Sequence, residues 1–177
     1  MLAYTPYIYT MFKNIAADVA TSLDTAIHFE HGHILEVVNT TKGMSKTPAY
    51  DPLKYPLIAL LQDFDEQKGT DEVLSEISVN LIIAALTDPK MVASQRLSCT
   101  FIPVLYPIYD QLMTSIRKSG YFRGNPNRIA DWPHTKTDRM YWGKAGIGGS
   151  EANIFGDWLD AIEITNLKLT VIKKDCI

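Results

Sequence analysis

A short segment near the amino-terminal end contains three histidines and a glutamate, residue types that could hold a metal ion. These residues are His28, Glu30, His31 and His33. Imidazole and carboxylate groups bind zinc, and His31 and His33 would share one face of an extended strand. A metal-dependent enzyme is therefore one class of function to weigh. No fourth ligand follows at a usual spacing, and Gly32 favours a turn, so we interpret the histidines as exposed strand or turn residues and predict no bound metal.

A glycine-rich segment from Gly143 to Ser150 has the composition of a phosphate-binding loop. In such loops a lysine directly precedes a serine or threonine at the end of the loop, and a strand comes before it. Here Lys144 stands at the beginning, and no strand is predicted ahead of it. The segment is therefore predicted to be a flexible loop that orders on a partner, and no cofactor is expected.

An acidic cluster at Asp63, Asp65 and Glu66 could coordinate a cation. It lacks the residue pattern of a calcium-binding loop, so residues 63–71 are predicted to form an exposed turn. The serines and cysteines have no nucleophile elbow or triad around them. The sequence therefore predicts a protein that is not an enzyme and has no catalytic residues.

Composition limits the class of protein further. The 177 residues are 46% hydrophobic, with a net charge of −3 and a pI near 5.8, which fits one domain over residues 1–177 and argues against a basic nucleic-acid-binding face. No apolar run approaches the roughly 20 residues that cross a bilayer, and the amino-terminal end lacks a signal-peptide pattern. Cys99 and Cys176 have no metal-type spacing and are expected to be free thiols. We expect no membrane association, and a protein made in a cytoplasm or packaged into a particle assembled there.

Hydrophobic periodicity defines the elements that must position these residues. It predicts a helix over Ile8–Leu23, strands within Ala26–Thr41, Tyr55–Leu61 and Glu76–Leu86, a helix over Asp88–Lys118 and a last strand over Leu159–Lys173. The order is α-β-β-β-α-β. We predict an α+β fold with a mostly antiparallel four-stranded sheet and helices on one face.

Two local irregularities are expected within these elements. Pro103 and Pro107 cannot both lie in an undisturbed helix, so a kink or break is predicted near Ile102–Tyr106, and Gly120 should end the helix. In the last strand the apolar alternation slips by one residue at Thr165-Asn166. A β-bulge at Asn166 would return the later apolar residues to the same face.

A long insertion, residues 121–156, shows almost no periodicity and is predicted to be an irregular arm. Its arginines and aromatic residues have the composition of interface anchors. A lid packed over the protein's own core is the alternative, and a nucleic-acid contact through stacking and charge is a third reading. The candidate interface residues here and just beyond are Tyr121, Arg123, Arg128, Trp132, Arg139, Tyr141, Trp142, Asp157 and Trp158.

The element order resembles the tail-terminator and tail-completion proteins of tailed bacteriophages, including their neck-ring relatives. The resemblance is carried by the segments Ile8–Leu23, Lys54–Leu61, Ile77–Pro89 and Gly156–Ile164. It implies a structural virion protein that forms a ring at the head–tail junction, commonly a hexamer, with a dodecamer also compatible. The neighbours implied are portal or connector and tail proteins, and double-stranded DNA would pass the lumen without specific binding. Such a protein is made in the host cytoplasm, and the insertion departs from the family pattern.

A different class of function also fits the sequence. The chain could be a small monomeric binding domain that uses residues 121–150 as a loop to hold a ligand or partner. Neighbouring portal and tail-tube genes would favour the ring protein over this alternative.

Overall fold

The computed structural model describes residues 4–68, 74–123, 132–145, 152–153 and 155–172. Its helices are α1 (Tyr4–Ser22), α2 (Ile34–Ser45), the single turn α3 (Ala93–Arg96) and α4 (Tyr106–Lys118), with a 3-10 helix at Asp51–Leu53 and a π-helical segment at Leu97–Leu105. Its strands are β1 (His28–Gly32), β2 (Leu57–Lys68), β3 (Leu74–Leu86), β4 (Thr135–Trp142), β5 (Lys144–Ala145), β6 (Ala152–Asn153) and β7 (Leu159–Ile172).

The main sheet has five strands in the order β1-β2-β3-β7-β4. β1 pairs parallel with β2, and the remaining neighbours pair antiparallel. β5 and β6 form a separate two-stranded sheet. The α+β class is confirmed, while the predicted four-stranded sheet is wrong because it missed β4 at one edge. The predicted order α-β-β-β-α-β is also wrong, because α2 lies between β1 and β2 and β4 precedes β7.

The two faces of the main sheet carry different helices. α1 and the helical residues 97–118 cover one face, here called the main face, through a core that includes Phe12, Val19, Phe101 and Leu112. α2 lies on the opposite face, the α2 face, where its buried residue Val37 belongs to a second core with Ala59, Ala84 and Ala161. The prediction of helices on one face is therefore wrong.

α2 replaces the second half of a predicted strand, since only His28–Gly32 of the segment Ala26–Thr41 is extended. The side chain of His33 accepts a hydrogen bond from the backbone of Leu35, and the side chain of Glu36 accepts one from the backbone of His33. This reciprocal cap satisfies backbone donors that a helix start leaves unpaired. It therefore starts a helix directly after the turn at Gly32.

β7 contains the predicted bulge. Asn166 has a positive φ of 55°, and the register between β3 and β7 shifts between Val79 and Leu81. The backbone N–H of Asn166 donates to Oδ1 of Asn80 over 3.0 Å. As expected, the apolar residues on both sides of the bulge share the main-face core: Ile162, Ile164, Leu167, Leu169 and Val171.

The second helical region begins later than predicted. The Oδ1 atom of Asp88 accepts a hydrogen bond from the backbone of Lys90, which forms a turn, and α3 begins only at Ala93. Pro103 lies inside the π-helical segment, and Pro107 stands in the first turn of α4. The predicted break is therefore a change from π to α geometry, and α4 ends at Lys118 ahead of Gly120, as expected.

Two segments predicted to be irregular belong to the sheet. Thr135–Trp142 forms β4, although the sequence predicted an irregular insertion there. Asp65 and Glu66 lie in β2 rather than in an exposed turn, and Glu66 accepts a hydrogen bond from Oγ of Ser75 over 2.6 Å. Both errors have one cause: polar residues at the margin of a sheet lack the apolar alternation that signals a strand.

Candidate interface at the sheet edges

One margin of the sheet is β4, whose pairing partner is β7. Backbone groups along β7 alternate between its two neighbours. The backbone N–H of Thr87 donates to the carbonyl of Trp158 over 2.9 Å, so the backbone groups of Trp158 point toward β3. By alternation, the groups that point toward β4 belong to Leu159, Ala161, Glu163 and Thr165.

This alternation fixes the outer edge of β4. Arg139 lies opposite Ala161 and Thr137 lies opposite Glu163, so the backbone groups of Arg139 and Thr137 face β7. The alternate residues present their backbone N–H and C=O groups on the outer side, and no strand in the described part of the chain pairs with that side. The residues of this outer edge are Lys136, Asp138 and Met140.

Side chains from α4 contact β4 on the main face of the sheet. Nζ of Lys136 lies 4.6 Å from the ring centre of Tyr106 and 5.3 Å from that of Tyr109. Asp138 bonds both Lys136 (2.6 Å) and the hydroxyl of Tyr106 (2.7 Å), and this hydrogen bond raises the pKa of Tyr106. The strand margin is therefore fixed by charge and ring contacts.

His134, which directly precedes β4, adds a second connection to α4. Its Nδ1 lies 2.7 Å from the carbonyl of Trp132, which can only accept, so Nδ1 carries a proton. In the neutral ring, Nε2 then accepts from the hydroxyl of Tyr109 over 2.7 Å. Burial raises the pKa of Tyr109, which keeps this phenol protonated.

The outer edge of β4 ends where Tyr141 packs on a buried ion pair. Nη1 of Arg96 lies 2.5 Å from Oδ1 of Asp160, and both side chains have 0% exposure. Tyr141 has a positive φ of 55°, its backbone N–H donates to the same Oδ1 (3.1 Å), and its ring stacks 3.6 Å from the guanidinium. The register of β4 shifts between Arg139 and Trp142, so the strand bends here and Tyr141 covers the ion pair.

β1 forms the other margin of the sheet. The backbone N–H of His28 donates to the carbonyl of Pro56 over 2.9 Å, so the backbone groups of Phe29 and His31 point outward by alternation. These two residues are the outer edge of β1, and no strand of the described residues pairs with them. The ring of Tyr9 packs on both side chains, with centroids 5.9 Å from Phe29 and 5.1 Å from His31.

The histidine segment is distributed over three different environments. Nε2 of His28 lies 3.3 Å from Glu30, and this contact lowers the pKa of that carboxyl. Burial lowers the pKa of His31. His33 caps α2 through Nδ1. Over the described ranges, no three groups of His, Cys, Asp or Glu are placed to bind one metal ion.

Lys54 organises a polar cluster on the α2 face that includes one candidate residue, Asp157. Lys54 is 3% exposed, and its Nζ lies 2.7 Å from Asp51, 2.8 Å from Asp157 and 2.7 Å from Oγ of Ser45. Burial opposes the charged form, but the hydrogen bonds to the carboxylates outweigh it, so the pKa of Lys54 is raised. The cluster fixes the turn that leads into β7.

The remaining candidate residues do not form one surface. Trp132 is 6% exposed and lies in the main-face core, as the lid interpretation expects. Tyr121 accepts a hydrogen bond from Nδ2 of Asn14, and the backbone of exposed Arg123 donates to Thr170. Arg128 lies outside the described residues, as do residues 146–150 of the glycine-rich segment.

Three of the aromatic candidates lie together beside the bend of β4. Trp142 stacks on Phe155 with centroids 4.7 Å apart, and its Nε1 donates to Glu163. Tyr141 meets Trp158 edge to face at 5.6 Å. Arg139, which pairs with Glu163 through Nε over 2.9 Å, stands next to them on β4. Sequence composition found these residues, but the strand that presents Arg139 could not be identified from it.

A cleft of about 220 Å³ between α1 and α4 was not expected from the sequence. Its polar floor is formed by Ser115, which donates to Asp18 over 2.5 Å, and by the bond between Asn14 and Tyr121. These groups satisfy one another, and the cleft is open to solvent. Its arrangement defines no catalytic set.

Comparison with known proteins assigns no function, so function is inferred from the fold and from the outer edges of β1 and β4. No protein-family model matches the sequence, and a search of curated proteins gives no significant match. Among the described helices, none combines the length and the apolar character that a membrane crossing requires.

Proposed function

We propose that this protein is a structural component of a tailed-bacteriophage virion that closes into a ring at the head–tail junction. The ring would hold six copies, with twelve as the alternative, and would contact portal or connector proteins on one side and tail proteins on the other. Double-stranded DNA would pass through its lumen. The proposal joins the resemblance carried by the segments Ile8–Leu23, Lys54–Leu61, Ile77–Pro89 and Gly156–Ile164 to the geometry of the sheet.

The observation that supports a ring is the position of the two outer edges. The outer edge of β4 and the outer edge of β1 lie at opposite ends of one sheet. A ring needs two different patches on each subunit, related by a rotation that closes. Outward-facing backbone groups that no described strand pairs with form such patches, because a neighbouring strand can accept and donate hydrogen bonds there.

The charge of the chain fits a channel through which DNA moves. The formal net charge is −3, so the protein as a whole has no excess of the lysine and arginine that hold phosphate. A ring that must release DNA during ejection benefits from weak phosphate contacts. The DNA therefore passes through the lumen without a specific binding site.

Electron microscopy of the purified protein at high concentration, with mass photometry, tests this function. Closed rings of six or twelve copies with an opening of roughly 20–40 Å, wide enough for a duplex, are the expected result. Immunogold labelling of disrupted phage particles should then place the protein between head and tail. A chain that stays monomeric at every concentration and is absent from particles would contradict the proposal.

A further inference from the structure

We infer that neighbouring subunits join by pairing the outer edge of β4 in one copy with the outer edge of β1 in the next, in the register that places Arg139 opposite Glu30. This inference rests on the proposed ring and specifies its subunit interface. Its partner is a second copy of this chain.

Strand directions determine how the two edges meet. β1, β2 and β7 run in one direction, and β3 and β4 run in the other. In a ring whose axis lies along the strands, every copy keeps its orientation, so β4 of one copy runs antiparallel to β1 of the next. Antiparallel ladders are the more stable kind, and the contact is head to tail as a closed ring requires.

The faces of the two strands restrict the register. Phe29 and His31 lie under Tyr9 of α1, and Asp138 contacts Tyr106 of α4, so all three side chains are on the main face. A continuous sheet must pair main-face residues with main-face residues. The backbone groups of the same residues point outward on both strands. They can exchange the new hydrogen bonds once the N–H of His31 leaves Oε1 of Glu30, to which it donates over 3.4 Å.

One register then matches the side chains as well. With Arg139 opposite Glu30, Asp138 lies opposite His31 and Met140 lies opposite Phe29. The first pair unites opposite charges, the second gives a carboxylate an imidazole neighbour, and the third covers a methionine that is 41% exposed. Cross-strand pairs of these kinds stabilise sheets.

Neighbouring registers lose this match. A shift of two residues along the ladder preserves the faces, but it brings Arg139 opposite His28 or opposite Gly32. Neither neighbour offers a carboxylate. The charged residues of β4 thus discourage random pairing at an exposed edge and permit pairing with the correct edge of another copy.

The inferred contact is short, because β1 spans only His28–Gly32. A ladder of this length buries less surface than a stable two-body interface usually does. Each subunit makes the contact twice in a closed ring, so assembly should be concentration-dependent and cooperative. Isolated pairs of subunits are expected to be rare at equilibrium.

Disulfide trapping tests the register directly. Arg139 and Glu30 would form a pair without direct backbone bonds, in which Cα atoms lie about 4.5 Å apart, within the range of a disulfide. Both natural cysteines are first replaced by serine. The variant with Glu30→Cys and Arg139→Cys is expected to give disulfide-linked ladders on non-reducing gels, up to the number of subunits in the ring.

Matched single variants identify the contact. Glu30→Cys mixed with Arg139→Cys should give a linked dimer, while either variant alone should not. Glu30→Cys with Lys90→Cys, in which the second cysteine is at an exposed site outside the sheet, is the control and should remain unlinked. Linkage of Arg139→Cys with itself would overturn the inference, because it would mean that two β4 edges pair about a two-fold axis.

Charge exchange gives an independent measurement by mass photometry. Arg139→Glu and Glu30→Arg should each raise the concentration needed for assembly about tenfold or more, and the double exchange should recover most of the loss. Lys90→Glu changes the charge equally and should have little effect. Rings that survive every exchange and do not cross-link would overturn this interface but leave the ring itself in place. A chain that forms neither rings nor cross-links would overturn both.

Discussion

Arg96 and Asp160 form an ion pair that is fully withdrawn from solvent, with 2.5 Å between Nη1 and Oδ1. Two backbone carbonyls complete the guanidinium's contacts: Met91 accepts from Nε over 3.1 Å and Asp88 accepts from Nη2 over 3.0 Å. The pair therefore joins α3, and the loop before it, to the beginning of β7. The bend of β4 at Tyr141 depends on this connection, since Tyr141 donates its backbone N–H to Asp160.

Removing one member of this pair should destabilise the fold strongly. Asp160→Ala leaves a buried guanidinium without its counter-charge, and we expect a loss of about 3–5 kcal/mol in the free energy of unfolding. The combined variant Arg96→Met with Asp160→Leu should lose much less, because neither charge remains. Urea denaturation at low protein concentration measures both. Equal losses for the single and the combined variant would contradict an ion pair as the source of the effect.

The bulge at Asn166 gives a second prediction. Its φ of 55° is open to glycine and asparagine but strained for a β-branched side chain. Asn166→Gly should change the free energy of unfolding by less than about 0.5 kcal/mol, whereas Asn166→Val should cost about 1–2 kcal/mol. Lys168→Val, at an exposed site farther along β7, is the control and should be nearly neutral. A neutral Asn166→Val would mean that the bulge moves along the strand.

That bulge was predictable from sequence, whereas two other elements were not. The slip of apolar alternation at Thr165-Asn166 has one physical solution, because Ile164 and Leu167 must both reach the core. α2 was missed because histidine is an unusual helix cap, so His33 and Glu36 did not signal a helix start. β4 was missed because it is an edge strand and carries charges where a central strand would have apolar residues.

The candidate interface residues were also only partly predictable from the sequence. Composition identified Arg139 and Tyr141 as candidates, but only the sheet order places Arg139 at one end and Glu30 at the other. That order depends on β7 inserting between β3 and β4, a pairing between distant parts of the chain that local periodicity does not encode. Likewise, Arg96 occupies a polar position in the helical pattern, and its burial follows from Asp160, far along the sequence.

His31 predicts a pH dependence of stability. Burial lowers its pKa below the ordinary value of 6.5, although the carboxylates of Glu30 and Glu36 oppose the shift. The unfolded chain therefore binds the proton more readily than the folded chain. The stability due to neutral His31 is fully present above pH 6.5 and is lost as the pH falls through the folded pKa.

Urea midpoints measured across this range should show the effect. The midpoint should fall as the pH drops below 6.5, and His31→Gln should flatten that part of the profile. The contribution of Glu30 lies in a lower window, since contact with His28 lowers its pKa below 4.5. That second loss, at more acidic pH, should persist in His31→Gln. An unchanged profile in His31→Gln would assign the pH dependence to other groups.

The last prediction distinguishes the two sides of β4 by proline substitution. Proline removes a backbone donor and should harm the fold only where that donor is used within the chain. Thr137 faces β7, so Thr137→Pro should cost about 3 kcal/mol more than Thr137→Ala. The backbone N–H of Asp138 points away from β7, so Asp138→Pro and Asp138→Ala should unfold at similar urea concentrations. Both variants lose the side-chain contacts to Lys136 and Tyr106.

Ring assembly should separate the two Asp138 variants. At equal concentration Asp138→Ala should still form some rings by mass photometry, whereas Asp138→Pro should form none, because the missing N–H belongs to the ladder with the next subunit. If Asp138→Pro assembles as well as Asp138→Ala, the outer edge of β4 is not where subunits meet.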